Sequence, residues 1–318
     1  MPGLAGTVSL RDVGLPDGIS TRPLVGADVP TAFGLFRRAQ LHDLGELEID
    51  LEDVASIFRK PSFDVGSHSV GLWHDDGLVG QCLMIRPGRA EATVDPSWRG
   101  RGLGAWLVGW SEGAASRAGA DRLEQAIEDG NAGARHLLVR AGYRTSHTSW
   151  LLRIELEEEP GEPAPPPGIE IRDFVPRQDD RIVHRLIDEA FSSFSPSEPF
   201  EDWAADTIHR TDFTADRLAV AVDGDQIVGA AVSIPYAGEG WIEQLAVRAS
   251  HRHRGIGRAL LRHAFRATWE RGERMAGLAT NSKTGALGLY QDVGMRVRRS
   301  YTHWAKTLAA APAGSEAC

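Results

Sequence analysis

Residues 241–261 read WIEQLAVRASHRHRGIGRALL, in which an apolar strand-like run is followed by arginines and glycines and then by apolar residues at helical spacing. Residues 91–108, EATVDPSWRGRGLGAWLV, repeat this succession in the first half of the chain. Each segment contains Arg-x-Arg-Gly-x-Gly at the point where the strand pattern gives way to the helix pattern. The two copies predict one strand–loop–helix unit that is present twice.

The repeat extends over the whole chain. Gly255 lies 153 residues after Gly102, and Gly294 lies 152 residues after Gly142. In both halves a strand and a helix come first, followed by two strands joined by a short turn, the strand–loop–helix unit, another strand, another helix and closing strands. Because domains of about 150 residues are common, the 318 residues fit two copies of one domain.

Acidic residues and prolines separate the two copies in the segment EEEPGEPAPPPG, residues 157–168. Prolines at this density exclude the interior of a helix or sheet and favour an extended spacer. The predicted organisation is an N-terminal domain over residues 1–156, a linker over 157–168 and a C-terminal domain over 169–318. The predicted fold class is α/β with a mixed α+β sheet, and each domain has a mostly antiparallel central sheet flanked by helices.

Composition limits the classes of partner. A formal net charge of -9 opposes binding to nucleic acid, because that affinity comes largely from Lys and Arg neutralising phosphates. No run of 18 apolar residues and no signal-like segment occurs, so neither a membrane partner nor secretion is expected. With only two cysteines, Cys82 and Cys318, a disulfide framework is implausible. We therefore expect a cytoplasmic protein.

The two glycine-rich loops have the properties of an anion site. Glycines allow the backbone to approach a ligand closely, and the free amides at the start of the following helix favour negative charge. A nucleotide P-loop is excluded because Gly-Lys-Ser/Thr is missing, and the dinucleotide fingerprint lacks its third glycine, where Leu107 and Leu260 stand. The loops predict a diphosphate other than that of ATP or NAD.

These residues resemble the acetyl-coenzyme A loop of the GNAT superfamily of N-acetyltransferases, Gln/Arg-x-x-Gly-x-Gly/Ala. Residues 252–257, RHRGIG, and 99–104, RGRGLG, both satisfy that pattern. The resemblance continues downstream in residues 285–295 and 131–143, which correspond to the helix and Gly-aromatic segment of that family. The doubled architecture is similar to that of mycothiol synthase and its relatives. The resemblance implies acetyl-CoA as the acyl donor.

The resemblance also implies which residues contact acetyl-CoA. In the second half the implied contacts are Leu245, Ala246, Val247, Arg252, His253, Arg254, Gly255, Ile256, Gly257, Arg258 and Asn281. In the first half the corresponding residues are Thr93, Val94, Arg99, Gly100, Arg101, Gly102 and Gly104.

Acid–base residues distinguish the two halves. Acyl transfer to an amine needs a base for the ammonium proton and an acid for the departing thiolate. Glu243 is the candidate base, with a solvent-facing surface residue as the alternative, and Tyr290 is the candidate acid, with a core aromatic as the alternative. When the halves are aligned on their glycines, Ala90 and Leu138 occupy these positions in the first half. We expect catalysis in the second half and a degenerate first half, whose retained loop leaves binding of coenzyme A there open.

Histidines and aromatic residues provide weaker signals. His251 and His253 flank the second loop without an acid or cysteine at ligand spacing, so no metal site is predicted. Several side chains are candidates for an acceptor pocket, with ordinary packing as the alternative for each: Phe191, Phe194, Trp203, Tyr301, His303 and Trp304.

The expected function is acetylation of a primary amine on a small molecule. The acidic charge favours a cationic acceptor such as a polyamine, an amino sugar or an amine-bearing antibiotic. Two alternatives remain open: a protein acetyltransferase acting on a lysine or an N-terminus, and a non-catalytic acyl-CoA sensor.

Overall fold

A computed structural model describes residues 14–193, 196–236 and 238–308. The chain forms two compact units: unit 1 comprises Met1–Thr148 with Tyr301–Cys318, and unit 2 comprises Ser149–Ser300. Within the described ranges, no helix has the length and apolar character needed to cross a membrane.

Unit 1 contains a sheet with helices on it. Its strands and helices are β1 (Ile19–Arg22), α1 (Val29–Leu44), α2 (Leu51–Arg59), α3 (Val65–His68), β2 (Ser69–His74), β3 (Gly77–Arg86), β4 (Arg89–Val94), α4 (Leu103–Arg117), β5 (Arg122–Glu128), α5 (Ala132–Arg140) and the start of β6 (Arg144–Glu155). Strands β1 to β4 pair antiparallel in chain order, and β4 pairs parallel with β5. Helix α4 packs on β3, β4 and β5.

Unit 2 repeats this arrangement. Its strands and helices are β7 (Ile169–Asp173), α6 (Asp180–Phe191), α7 (Phe200–Asp206), β8 (Leu218–Asp223), β9 (Gln226–Tyr236), β10 (Glu239–Val247), α8 (Ile256–Glu270), β11 (Met275–Asn281), α9 (Leu287–Asp292) and the start of β12 (Arg296–Thr307). Strands β7 to β10 pair antiparallel, and β10 pairs parallel with β11. The predicted fold class, a mixed and mostly antiparallel sheet flanked by helices in each copy, is confirmed.

The closing strands are exchanged between the repeats. Residues 149–155 of β6 pair with β11 in unit 2, and residues 301–307 of β12 pair with β5 in unit 1. The sequence analysis expected the boundary between the two domains at residues 157–168. The boundaries of the compact units lie elsewhere, after Thr148 and after Ser300. Residues 157–168 do lie outside helices and strands. A strand pattern shows that a segment pairs but does not show with which strand, so each closing strand was assigned to the repeat it follows.

The two exchanged strands pair in the same register, but their side chains at equivalent positions differ in charge and polarity. Lys306 of β12 pairs with Leu123 of β5, and Ile154 of β6 pairs with Ala276 of β11. The Lys306 Nζ lies 2.7 Å from an oxygen of Glu112, whose side chain is only 6% exposed. In the equivalent place of unit 2, Ile154 packs in an apolar cluster that includes Phe265. The ion pair therefore occurs in unit 1 at a position that is apolar in unit 2.

Neighbouring core positions follow the same contrast. In unit 1, Gln125 is buried and donates a weak hydrogen bond to Ser111, 3.4 Å away, and Tyr143 lies beside it. At the equivalent positions unit 2 has Leu278, Ala264 and Met295, all buried. Burying a carboxylate is costly unless it is paired, so Glu112 depends on the lysine that β12 supplies.

We expect Lys306→Met to lower the free energy of unfolding by about 3 kcal/mol, because Glu112 would remain buried without its cation and Lys306 itself is partly exposed. The double variant Glu112→Phe with Lys306→Ile, which copies unit 2, should recover at least half of that loss. Guanidinium titration measures both variants. Lys283→Met, which changes an exposed lysine, is the control, and an equal loss in this control would contradict the role of the pair.

Candidate active site

Strands β10 and β11 part after three residues. Among the described residues, they pair only from Gly240 to Ile242, whereas residues 244–247 of β10 remain paired with β9 on the other side. The edge of β10 that faces the parting therefore has backbone groups without strand partners. Buried backbone amides and carbonyls need partners, so such an edge is suited to an extended ligand with amide groups. In unit 1, the pairing of β4 with β5 in the described part of the chain is limited to Arg89 and Glu124.

A β-bulge lies at the point of parting in unit 2. Ile242 pairs with Ser233 and Gln244 pairs with Val232, so Glu243 is the extra residue on β10. Bulges redirect side chains and end pairing, and they are frequent next to active sites. In unit 1 the irregularity is instead on β3, where the extra residue falls between Leu83 and Arg86. The two units thus differ at the place where the sheet opens.

The glycine-rich turns have the same backbone geometry in both units. Gly255 precedes α8 with φ +88°, and Gly102 precedes α4 with φ +89°. The preceding left-handed residues are His253 in unit 2 and Gly100 in unit 1. As far as the structure describes them, neither helix has a side chain that caps its first amides, and no atom lies within 4 Å of a Cβ built on Gly255. The start of α8 is therefore open to an anion.

The arginines beside the turns divide into two kinds. Arg252 donates to the carbonyls of Val247 (3.1 Å) and Ala190 (3.3 Å), so it holds the loop in place. Its counterpart Arg99 donates to the carbonyl of Val94 and forms a double hydrogen bond with Asp43. The second kind makes longer contacts. Arg254 lies 3.6 Å from Asp223, Arg258 lies 3.4 Å from Asp292, and Arg101 stacks on Trp98.

The other residues implied as cofactor contacts have mixed positions. Ala246 and Ile256 are buried in the core, so their side chains do not face a ligand. Asn281 ends β11 and accepts a hydrogen bond from the Lys283 amide (2.9 Å), which closes the following turn. Six residues remain partly exposed or lack a side chain at the parting and in the turns: Leu245, Val247, Gly257, Thr93, Val94 and Gly104.

Glu243 is exposed at the bulge and accepts a hydrogen bond from the indole N–H of Trp241 (2.8 Å). Tyr290 lies on α9 and is 8% exposed, within the apolar cluster that contains Ile242 and Leu278. Burial raises the pKa of Tyr290, and a hydrogen bond with Thr280 opposes that shift. The phenol is therefore protonated at neutral pH, as a proton donor must be.

Unit 1 has neither group at the equivalent positions. Ala90 is 1% exposed and Leu138 is 2% exposed, and both belong to the core of unit 1. The acceptor-pocket candidates also divide between the units. Trp203 lies in unit 2, where its indole donates to Gln244 at the bulge (2.8 Å) and Phe191 packs in the same cluster. Phe194 and Cys318 lie outside the described residues.

The remaining candidates lie in unit 1. The Tyr301 hydroxyl donates to the carboxylate of Glu48, Trp304 is buried in the core, and His303 lies beside Glu124. None of these three shares a unit with Glu243. His251 has no acid or cysteine at ligand spacing in the sequence, but in the structure Asp223, which is distant in sequence, lies 3.2 Å from its Nε2.

Sequence reasoning missed a charged cluster in unit 1. The Nδ1 atom of His303 lies 3.0 Å from Glu124, and the rings of His147 and His303 stack with centroids 3.9 Å apart. Arg89 and Arg122 lie 3.5 and 3.7 Å from the same carboxylate. The potential ligand atoms of Glu124, His147 and His303 are close together. The two guanidinium groups and the stacking of the two imidazole rings nevertheless disfavour a metal ion here. No spacing in the sequence links the two histidines, because strand exchange brings them together.

Stability should depend on the protonation of Glu124. Hydrogen bonding and charge from His303, with His147 and Arg89, outweigh burial and lower the pKa of Glu124 to about 2. A lowered folded-state pKa contributes stability that is present above the unfolded value and is lost as the pH falls through the folded value.

We expect Glu124→Gln to cost on the order of 2 kcal/mol at neutral pH, a value reduced by partial solvent screening. The difference from the wild type should shrink progressively as the pH falls from 4.5 to about 2. Thermal midpoints measured across pH test this expectation, with Glu91→Gln on β4 as the control. A difference independent of pH would show that the carboxylate charge is not responsible.

Comparison with known proteins adds to this geometry. The model of the family described as "Acetyltransferase (GNAT) family" matches residues 37–143 and, separately, residues 181–295. A mycothiol acetyltransferase from Actinosynnema mirum is 34% identical over 152 residues, which are 44% of this chain and 48% of that protein. The matched part thus spans about half the length of this curated relative.

Two solved structures match nearly the whole chain. A GCN5-related N-acetyltransferase from Sphaerobacter thermophilus is 31% identical with a TM-score of 0.75, and the match covers 93% of this chain and 97% of that one. A tandem GNAT protein from the clavulanic acid biosynthesis pathway is 17% identical with a TM-score of 0.68, covering 93% and 100%, and shows the shared fold alone.

Proposed function

The chain belongs to the acetyltransferase (GNAT) family, and from that premise we propose that unit 2 transfers an acetyl group from acetyl-CoA to a primary amine of a small molecule. The observation that supports this most directly is the parting of β10 from β11 at a bulge that presents Glu243. In the same unit, β10 leads into a turn that opens a helix without a side-chain cap in the described structure.

The residues of unit 2 fit a ligand with a pyrophosphate and an amide-containing arm. The amides from Gly255 onward, at the positive end of α8, would hold the pyrophosphate, and the exposed guanidinium groups of Arg254 and Arg258 add positive charge. The edge of β10 that has no strand partner would hold the arm at Leu245 and at the Val247 amide, since the Val247 carbonyl already accepts from Arg252. Bound acetyl-CoA supplies an acyl group activated as a thioester.

Two side chains are suited to move protons. The carboxylate of Glu243 accepts the proton that the acceptor's ammonium group must lose before its nitrogen can attack. The phenol of Tyr290 holds a proton for the departing sulfur, and its raised pKa keeps that proton in place at neutral pH. Its burial beside the apolar cluster keeps water away from the hydroxyl.

A small cationic amine is the acceptor class that we favour. The chain carries a net charge of -9, which attracts cations, and the related mycothiol acetyltransferases are named for a small-molecule acceptor. A protein acetyltransferase and a non-catalytic acyl-CoA sensor are the alternatives that an acceptor panel distinguishes.

Glu243→Gln should reduce turnover by about 10²-fold or more, because a positioned base contributes that much, and Tyr290→Phe should reduce it comparably. Ala90→Ser and Leu138→Met change the equivalent positions of unit 1 and should leave turnover nearly intact. Release of CoA thiol is measured with a panel of small amines and peptides. Equal losses from both pairs would contradict catalysis in unit 2, and no release with any acceptor would favour the sensor.

The two glycine turns provide a matched test of binding. Gly255→Ala and Gly102→Ala introduce the same left-handed strain, about 1–2 kcal/mol each, so their effects on folding should be similar. If unit 2 alone holds acetyl-CoA, titration calorimetry should show weaker binding only for Gly255→Ala. Weaker binding in Gly102→Ala alone would assign the cofactor to unit 1.

A further inference from the structure

Trp241 is a rigid side chain next to the bulge. It is only 7% exposed, and its ring stacks on Tyr236 with centroids 4.5 Å apart and planes inclined by 25°. Its other neighbour is Gly277, on which a Cβ would come within 2.9 Å of two carbons of the indole. The indole therefore lies against bare backbone on β11 and against an aromatic ring from β9, which together restrict its rotation.

The indole N–H of Trp241 points at Glu243, with 2.8 Å between Nε1 and Oε2. An indole nitrogen only donates and an ionised carboxylate only accepts, so the direction of this hydrogen bond is fixed. Side chains two residues apart in a strand face the same side, so Trp241 and Glu243 are placed to meet, and the bulge makes Glu243 the additional residue between Ile242 and Gln244. A buried donor with little freedom to rotate thus contacts a long, exposed side chain.

The next residue of the bulge is held in the same way. The Gln244 side-chain oxygen accepts a hydrogen bond from the indole N–H of Trp203, 2.8 Å away, and Trp203 is 1% exposed. Two consecutive polar residues are therefore each oriented by a buried tryptophan. In the ungapped alignment of the two halves, Gly88 stands opposite Trp241 and Ala90 opposite Glu243. In the sheet of unit 1, Arg89 pairs with Glu124 as Trp241 pairs with Gly277, so neither member of the first pair is present there.

We propose that Trp241 is the positioning residue for Glu243, fixing the carboxylate in the orientation that receives the acceptor's proton. This inference rests on the proposed function, because it assigns a role relative to the candidate base. A base that is already oriented loses little side-chain freedom at the moment of proton transfer, and effective catalysis depends on such geometry. The hydrogen bond also favours the ionised carboxylate, the form that can accept a proton.

The decisive variant is Trp241→Phe, which keeps an aromatic ring between Tyr236 and Gly277 but removes the N–H. We expect kcat to fall roughly 10-fold, the scale of one hydrogen bond to a charged group, while the affinity for acetyl-CoA measured by calorimetry stays unchanged. The acidic limb of the pH–rate profile should move to higher pH. Trp269→Phe, which changes a tryptophan of α8, is the control and should leave all three measurements unchanged.

A measurement on the protein without ligand separates this inference from the proposed function. In a ¹⁵N indole spectrum, the Trp241 resonance, identified by its loss in Trp241→Phe, should shift in Glu243→Gln while the Trp269 resonance does not. In the Glu243→Gln background, Trp241→Phe should cost no further activity, because orienting the side chain has no effect on proton transfer once the base is lost.

The outcomes are distinguishable. A Trp241 resonance that does not respond to Glu243→Gln would overturn the contact and the inference, whatever the activity shows. A response together with full turnover in Glu243→Gln would overturn Glu243 as the base, and with it the positioning role. Equal losses of kcat and of acetyl-CoA affinity in Trp241→Phe would show that the residue supports the binding site rather than the carboxylate.

Discussion

The separation of two parallel strands is the constraint on which the rest of the site depends. In unit 2, β10 stops pairing with β11 after Ile242 while it continues to pair with β9. Backbone groups inside a sheet normally pair, so an unpaired edge is maintained only where something else stabilises the strands. Here the bulge at Glu243 breaks the regular ladder, and helix α8 packs on β8, β9 and β10 and holds the edge in place.

Both units have this separation, but different kinds of side chain lie at its apex, the point where the two parallel strands part. In unit 1 the last paired residues are Arg89 and Glu124, and histidines from β6 and β12 join them in a charged cluster. In unit 2 the apex has the buried Trp241 and the exposed Glu243 instead. One apex is thus a network whose charges neutralise one another, whereas the other presents a single oriented carboxylate. This contrast supports different roles for two units with one backbone plan.

The exchange of the closing strands β6 and β12 explains how the two units could come to have different buried side chains in their cores. Because β12 completes the sheet of unit 1, a buried carboxylate there is tolerated only with the lysine that β12 brings. The closing strand of unit 2, β6, brings Ile154 at the same register into an apolar core. The two closing strands have therefore become specific for their sheets, since either one in the other's place would bury an unpaired charge.

The sequence by itself determined the repeat, the order of strands and helices, the two glycine turns and the family. These features depend on local patterns: alternation in strands, helical spacing, and glycines where a turn before a helix needs a left-handed backbone. It also indicated that Glu243 and Tyr290 have no counterparts in the first half, because that comparison needs only alignment. Their roles in catalysis remain predictions.

Only the tertiary structure decided which strand closes each sheet, where the bulge lies, and which side chains meet. Strand partnership, the contact of Trp241 with Glu243, the pairing of His251 with Asp223 and the cluster around Glu124 all depend on residues that are brought together by pairing across a sheet. A strand pattern specifies which face of a strand is apolar but not its partner. For that reason the chemistry around the proposed base was visible only once the fold was known.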